Sequence, residues 1–142
     1  MLVLKKDLWE KDKILTVLST DNWGEQDATI ISDCVLAELK QLLLECIDQD
    51  DKCILLLDVN KGEVPPMTYI IKCMSFLLGI KSIIQDAVYF SVIYDKNESG
   101  SQLVETILKI YQPARPLLTV NSKDQIIKLC QDKELVDFSY KI

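Results

Sequence analysis

The chain contains no histidine. That removes the commonest general base, the usual partner of serine and cysteine nucleophiles, and the commonest zinc ligand. Glycine is nearly as scarce, with only Gly24, Gly62, Gly79 and Gly100, so neither a GxxxxGK[ST] nor a GxGxxG loop is there to cradle phosphates. Arginine occurs once, at Arg115, and 16 basic side chains face 22 acidic ones for a net charge of −6. No cationic stripe is available to displace phosphate counterions, which excludes nucleic acid as a partner and argues against an anionic membrane surface. No apolar run approaches the roughly 20 residues that span a bilayer. The start, Met1-Leu-Val-Leu-Lys5, lacks the order of a secretory signal, and a cytoplasmic location is expected.

What is present is a core. The 142 residues are 49% hydrophobic and 27% charged, the profile of a single globular domain over 1–142 that needs no disulfide or metal staple. The five cysteines, Cys34, Cys46, Cys53, Cys73 and Cys130, show no CxxC spacing and fall inside apolar segments. They read as small buried hydrophobes in a reducing compartment. Asn97-Glu98-Ser99 matches a glycosylation acceptor, a chance match in a cytosolic chain.

The periodicities give an order of elements. Leu2, Leu4 and Leu8 alternate, and Ile14 to Leu18 follows as a β-branched run, which predicts an N-terminal hairpin. Asp27 is placed to cap a helix of about twenty residues, with Ile31, Val35, Leu39, Leu42 and Cys46 on the face turned to a sheet. Cys53-Ile-Leu-Leu-Leu57 has no alternation, as a central strand covered on both faces would have none. Pro65-Pro66 opens a helix from Met67 to Leu78 that is apolar nearly all round and is expected to be deeply buried. Tyr89 to Tyr94 and Leu117 to Val120 are the next strands. Each is followed by a capping box, Ser99 with Gln102 and Ser122 with Gln125, opening helices to Tyr111 and Gln131. The order is ββαβαβαβα with a tail from Leu135, which predicts an α/β fold on a single mixed, mostly parallel sheet.

Candidate chemistry collects at strand ends. Asp58 closes the strand expected to be central, where ligands of open α/β sheets bind, and could hold Mg²⁺ or accept a phosphoryl group. The plainer role is to cap the turn Asp58-Val-Asn-Lys61. Asp95 stands at the corresponding end of the next strand with the same two roles. The run Asp48-Gln-Asp-Asp51 lacks the spaced ligands of a calcium loop and reads as a solvated helix end. Trp9, Trp23 and Tyr140 lie near element ends, to be buried or to anchor a partner. No cofactor or metal set is expected.

The hairpin, the strand Cys53-Ile-Leu-Leu-Leu-Asp58 with its loop and helix, and the ending Leu117-Leu-Thr-Val-Asn-Ser-Lys-Asp-Gln-Ile-Ile-Lys-Leu-Cys130 together resemble the STAS domain, the family of bacterial anti-sigma-factor antagonists. The ending is also similar to the lipid-binding Sec14-like fold. In the STAS family, an Asp-Ser pair at the start of the helix after the central strand is phosphorylated to release a partner. Here the stretch is Asn60-Lys-Gly-Glu-Val-Pro-Pro-Met-Thr68, without that pair, and Thr68 is the nearest hydroxyl. A phosphate on Thr68 would lie near the positive end of a helix dipole.

The resemblance implies a non-catalytic protein-binding or regulatory domain acting through Asp58, Asn60 and Thr68. The alternative is a pocket for a small apolar ligand or lipid, and a third reading is a metal-dependent phosphoryl-transfer enzyme using Asp58 and Asp95. An apolar cavity between helices and sheet would favour the second, a solid core the first, and carboxylates within about 8 Å the third. The hairpin also leaves a sheet edge to which a second copy could add.

Overall fold

A computed structural model of the chain describes residues 1–60, 65–97, 105–109 and 111–142. The fold is α/β, with one mixed sheet of five strands: β1 (Leu2–Trp9), β2 (Asp12–Ser19), β3 (Cys53–Asp58), β4 (Val88–Tyr94) and β5 (Leu117–Val120). They lie in sequence order; β1 is antiparallel to β2, and the other neighbours are parallel. The uninterrupted apolar run at Cys53 is the third of five strands, as its lack of alternation predicts. At the hairpin, Glu10 takes a positive φ of 58°, a conformation non-glycine residues adopt sparingly. Along the outer edge, β1 carries Lys5, Lys6 and Asp7 in its exposed middle, and such charges oppose addition of another strand.

Parallel neighbours in sequence order require each crossover to step the same way, and crossovers of one hand then deposit their helices on one face. That face carries α1 (Ala28–Asp48), α2 (Met67–Gly79), α3 (Lys81–Ala87) and the helical stretch α4 (105–109). Among the described residues, α5 (Lys123–Gln131), after the last strand, is the helix that returns over the opposite face. Pleat alternation divides the strands accordingly. Ile14, Ile54, Leu56, Phe90, Val92 and Val120 meet Ile126, Leu129 and Cys130 of α5, with Val136 and Tyr140 of the tail completing that layer.

Several expectations are corrected. In α1 the expected Leu39, Leu42 and Cys46 are buried, but Ile31 is exposed and Val35 half-buried, and Ala28, Ser32, Leu36 and Leu43 complete the inward stripe. Adjacent apolar pairs such as Val35-Leu36 allow two stripes, and the sheet selects the second. It admits Ser32 because the Leu2 N–H donates to its Oγ at 2.8 Å. Helix α2 buries only Tyr69, Ile70 and Met74, because one face alone meets the sheet. An unforeseen helix, α3, follows Gly79 and covers Leu15 and Leu55 through Ile84 and Ala87. Cys34 is exposed on α1's outer side and Cys73 half-buried. The caps also differ: Asp27 makes no side-chain cap bond, whereas Ser122 Oγ accepts from the Gln125 N–H at 3.3 Å. Gln125 Oε1 accepts in turn from the Asn121 N–H at 2.7 Å. The box at Ser99 and Gln102 lies outside the described residues.

The tail, unassigned by periodicity, closes the amino ends of the strands. Lys133 pairs with Asp12 and sits 5.4 Å from the Tyr89 ring centroid, and the Tyr140 hydroxyl donates to Asp132. Among the described residues no single helix is long and apolar enough to cross a membrane; α2 and α3 reach that length only together, and they are bent by 73°.

Candidate functional site

At the carboxyl ends of β3 and β4 the two acids make matching turns. Asp58 Oδ1 accepts from the Asn60 backbone N–H and from Asn60 Nδ2, both at 2.9 Å. Asp95 Oδ1 accepts from the Asn97 N–H at 2.9 Å. Asn60 then ties the two loops together: its Oδ1 accepts from the Lys96 N–H at 2.7 Å, and its Nδ2 reaches the Tyr94 carbonyl at 3.4 Å. Asp58 and Asn60 therefore form one clamp, of the turn-capping kind.

The other predicted residues are not brought to that clamp. Thr68 is exposed in the first turn of α2, which packs on the helix-bearing face, while Asp58 pairs in register with Leu18 and Tyr94 on the face of α5. Asp58 lines a polar cleft there and Asp95 does not. Since Tyr94 is the in-register neighbour of Asp58, the pleat turns the next residue, Asp95, to the opposite face. No cluster of three or more metal-ligating Cys, Asp or Glu side chains occurs among the described residues.

A different site lies between the sheet and α1–α4. An apolar cavity of about 160 Å³ is walled by Val17, Leu55, Leu57 and Leu117 from the sheet and by Met74 and Ile107 from the helices. The strand residues record it. In β3, Ile54 and Leu56 on the α5 face are buried, yet Leu55 and Leu57, beneath the helices, are only half-buried. Leu15, Leu55, Ser91 and Leu117 stand in register across four strands, which places a hydroxyl in an otherwise aliphatic row.

Polar groups on this wall are few. Ser91 is half-buried. Burial raises the Tyr111 phenol above its ordinary value of 10.0, offset in part by a hydrogen bond with the Ala114 backbone. The guanidinium of Arg115 donates from Nε to the Val88 and Tyr89 carbonyls and from Nη2 to Tyr89. That pins the rim segment Pro113–Arg115, which also contributes to the lining, against the start of β4. Cys73 lines the cavity as well, but burial pushes its thiol up to about 12, so it carries no useful thiolate near neutral pH. Burial likewise raises Cys130 to about 11 and Cys53 further still. These thiols are packing groups.

Sequence reasoning named Asp58 and Asn60 and raised an apolar pocket between helices and sheet as an alternative, but assigned no residues to it. One signal pointed to it: Ser91 interrupts the strand Val88–Tyr94 at a helix-facing position where an aliphatic side chain would fill space. No protein-family model, curated protein or solved structure matches this chain.

Proposed function

We propose that this domain is a non-catalytic binding module for a small, largely apolar molecule, held in the cavity between the sheet and α1–α4. The observation that carries this reading is the 160 Å³ of space walled by aliphatic side chains. Side chains facing that space lack partner atoms on one side, and an apolar ligand that fills it supplies those contacts.

The size also sets the class of ligand. Apolar cavities of about 150 Å³ take up benzene-sized bodies, whereas drug-sized ligands need roughly 300–1,000 Å³. A single ring or a short acyl chain fits; a whole diacyl lipid does not. Ser91 and Arg115 allow for one polar end. Native mass spectrometry of the purified chain tests the proposal, followed by thermal unfolding of stripped protein with toluene or a short-chain fatty acid. A retained small organic molecule, or a midpoint that rises with probe concentration as linkage requires, supports it. Protein with no adduct and no response to either probe overturns it.

A second reading, a STAS-like protein-binding domain, is favoured by the outer face of α2. Met67, Ile71 and Leu78 are 49%, 46% and 48% exposed and, at spacings i, i+4 and i+11, share one stripe beside Thr68. A glutamate at Ile71 should abolish capture of such a partner while leaving the cavity intact. The charged edge of β1 opposes dimerisation by strand addition.

A further inference from the structure

The polar cleft on the other face is independent of the apolar cavity and has a different chemistry. Helix α4 lies on one face of the sheet and α5 on the other, so the chain segments leaving β4 and β5 diverge to opposite sides. In open α/β sheets, a crevice beyond the carboxyl ends of strands at such a divergence is the general place for a polar ligand. Here an open cleft of about 640 Å³ runs along the α5 face from Trp9 and Asp7 of β1 to that carboxyl end, where Asp58, Asn60, Tyr94, Lys96, Asn97 and Lys123 line it.

Its lining departs from the charge of the chain. In a protein of net charge −6, three lysines from separate elements line this one cleft: Lys5 of β1, Lys96 after β4 and Lys123 in the first turn of α5. Two carboxylates, Asp7 and Asp58, also line it, leaving a local excess of one positive charge. Asp58 already spends an oxygen on Asn60. Neither Lys5 nor Lys123 forms an ion pair with a described residue, and Lys96 Nζ stands 6.0 Å from the centroid of the Tyr94 ring. At the N-terminus of α5 the Gln125 N–H is already taken by Ser122 Oγ, and the ammonium groups carry the attraction for an anion. Lysine binds phosphate as a point charge and needs no glycine-rich loop. Thr16, Asn97 and Asp7 supply hydroxyl, amide and carboxylate groups on the same walls.

We infer that this cleft binds a small phosphorylated, hydroxyl-bearing molecule at the end nearest α5, its phosphoryl group between Lys96 and Lys123 and its hydroxyls toward Asn97. The test is a ¹H–¹⁵N NMR titration of the full chain with glycerol 3-phosphate, set against glycerol and against sodium sulfate at matched ionic strength. Saturable shifts at the Lys96, Asn97 and Lys123 amides are expected with glycerol 3-phosphate, with none from glycerol and weaker ones from sulfate. Lys96→Gln and Lys123→Gln should each weaken binding by about tenfold, the scale of one charge-assisted hydrogen bond, and Lys81→Gln, exposed on α3, should not. No saturable shift up to about 10 mM overturns the inference, as does sulfate matching glycerol 3-phosphate in site and affinity. Unchanged affinity in both cleft variants overturns it as well.

Discussion

The two faces of the sheet are built from the same strands and packed to different standards. Beneath α5 and the tail the packing is closed: Ile14, Ile54, Phe90, Val92, Ile126 and Leu129 are each no more than 1% exposed. The face with four helices buries Leu15, Leu43, Cys53 and Val88 as deeply, but around the cavity it is loose, with Leu55, Leu57 and Leu117 half-buried. Helix count is therefore a poor guide to packing. A single amphipathic helix with Ile126, Leu129 and Cys130 on one side joins a buried cluster drawn from four strands. On the other face α2 turns only three residues inward and leaves a row containing Ser91 uncovered.

The largest expected effect comes from truncating the closed face. Phe90→Ala removes a ring with no exposed surface and should cost about 3–5 kcal/mol, read from the urea midpoint. Leu57→Ala, whose side chain borders space already empty, should fall at the low end of leucine truncations, about 2 kcal/mol. Equal costs would break the contrast between the faces.

Adding volume sharpens the comparison, since the sign should differ. Ser91→Val puts methyl groups into the cavity and suits a strand, so it should stabilise by about 0.5–2 kcal/mol and weaken binding of toluene. Val92→Leu, the neighbouring residue on the closed face, meets a filled core and should cost about 1–3 kcal/mol. Thermal unfolding of both variants, with and without toluene, reads both effects; destabilisation by Ser91→Val would mean that the helix-bearing face has no room.

The caps follow the same division. Ser122→Ala on α5 loses the bond from the Gln125 N–H and should cost about 1 kcal/mol. Asp27→Ala on α1 removes a side chain with no cap bond and should stay within about 0.5 kcal/mol. Denaturant midpoints separate the two.

The closed face was also the legible one. Strand β3 announced itself by an apolar run without alternation, and α5 by Ser122 and Gln125 bracketing its first turn, because both signals are local in the chain. The loose face depends on choices that local sequence leaves open. Doubled apolar pairs in α1 allowed a stripe through Ile31 and Val35, and the apolar composition of α2 hid which side faces the sheet. Gly79 marked an end but gave no warning that Lys81 would start another helix. Of the candidate site, Asp58 and Asn60 were readable as a turn. The apolar pocket was raised only as an alternative, and its residues were not readable, since a void is set by distances between side chains on the strands, on α2 and α4 and in the rim segment near Pro113, each unremarkable alone.

The smallest predicted effect concerns what holds the loose face together. Asp33 of α1 accepts from Lys72 at 2.7 Å and from the Tyr69 hydroxyl at 3.0 Å, both on α2, which itself meets the ring of Trp23 through Tyr69. These partners, the Lys72 hydrogen bond foremost, hold the Asp33 carboxyl below its ordinary value of 3.8. A carboxyl depressed in the folded state adds stability above its unfolded pKa and loses that contribution as pH falls through the folded value. Because the pair is exposed, solvent screening keeps the contribution to about 0–1 kcal/mol at neutral pH. Asp33→Asn should accordingly be slightly less stable than the parent near neutral pH, and the gap should close on acidification well below 3.8. Hydrogen-exchange protection of the α2 amides, corrected for the intrinsic rate at each pH, should fall as Asp33 protonates. The same pH dependence in Asp33→Asn would mean that this clamp is not its source.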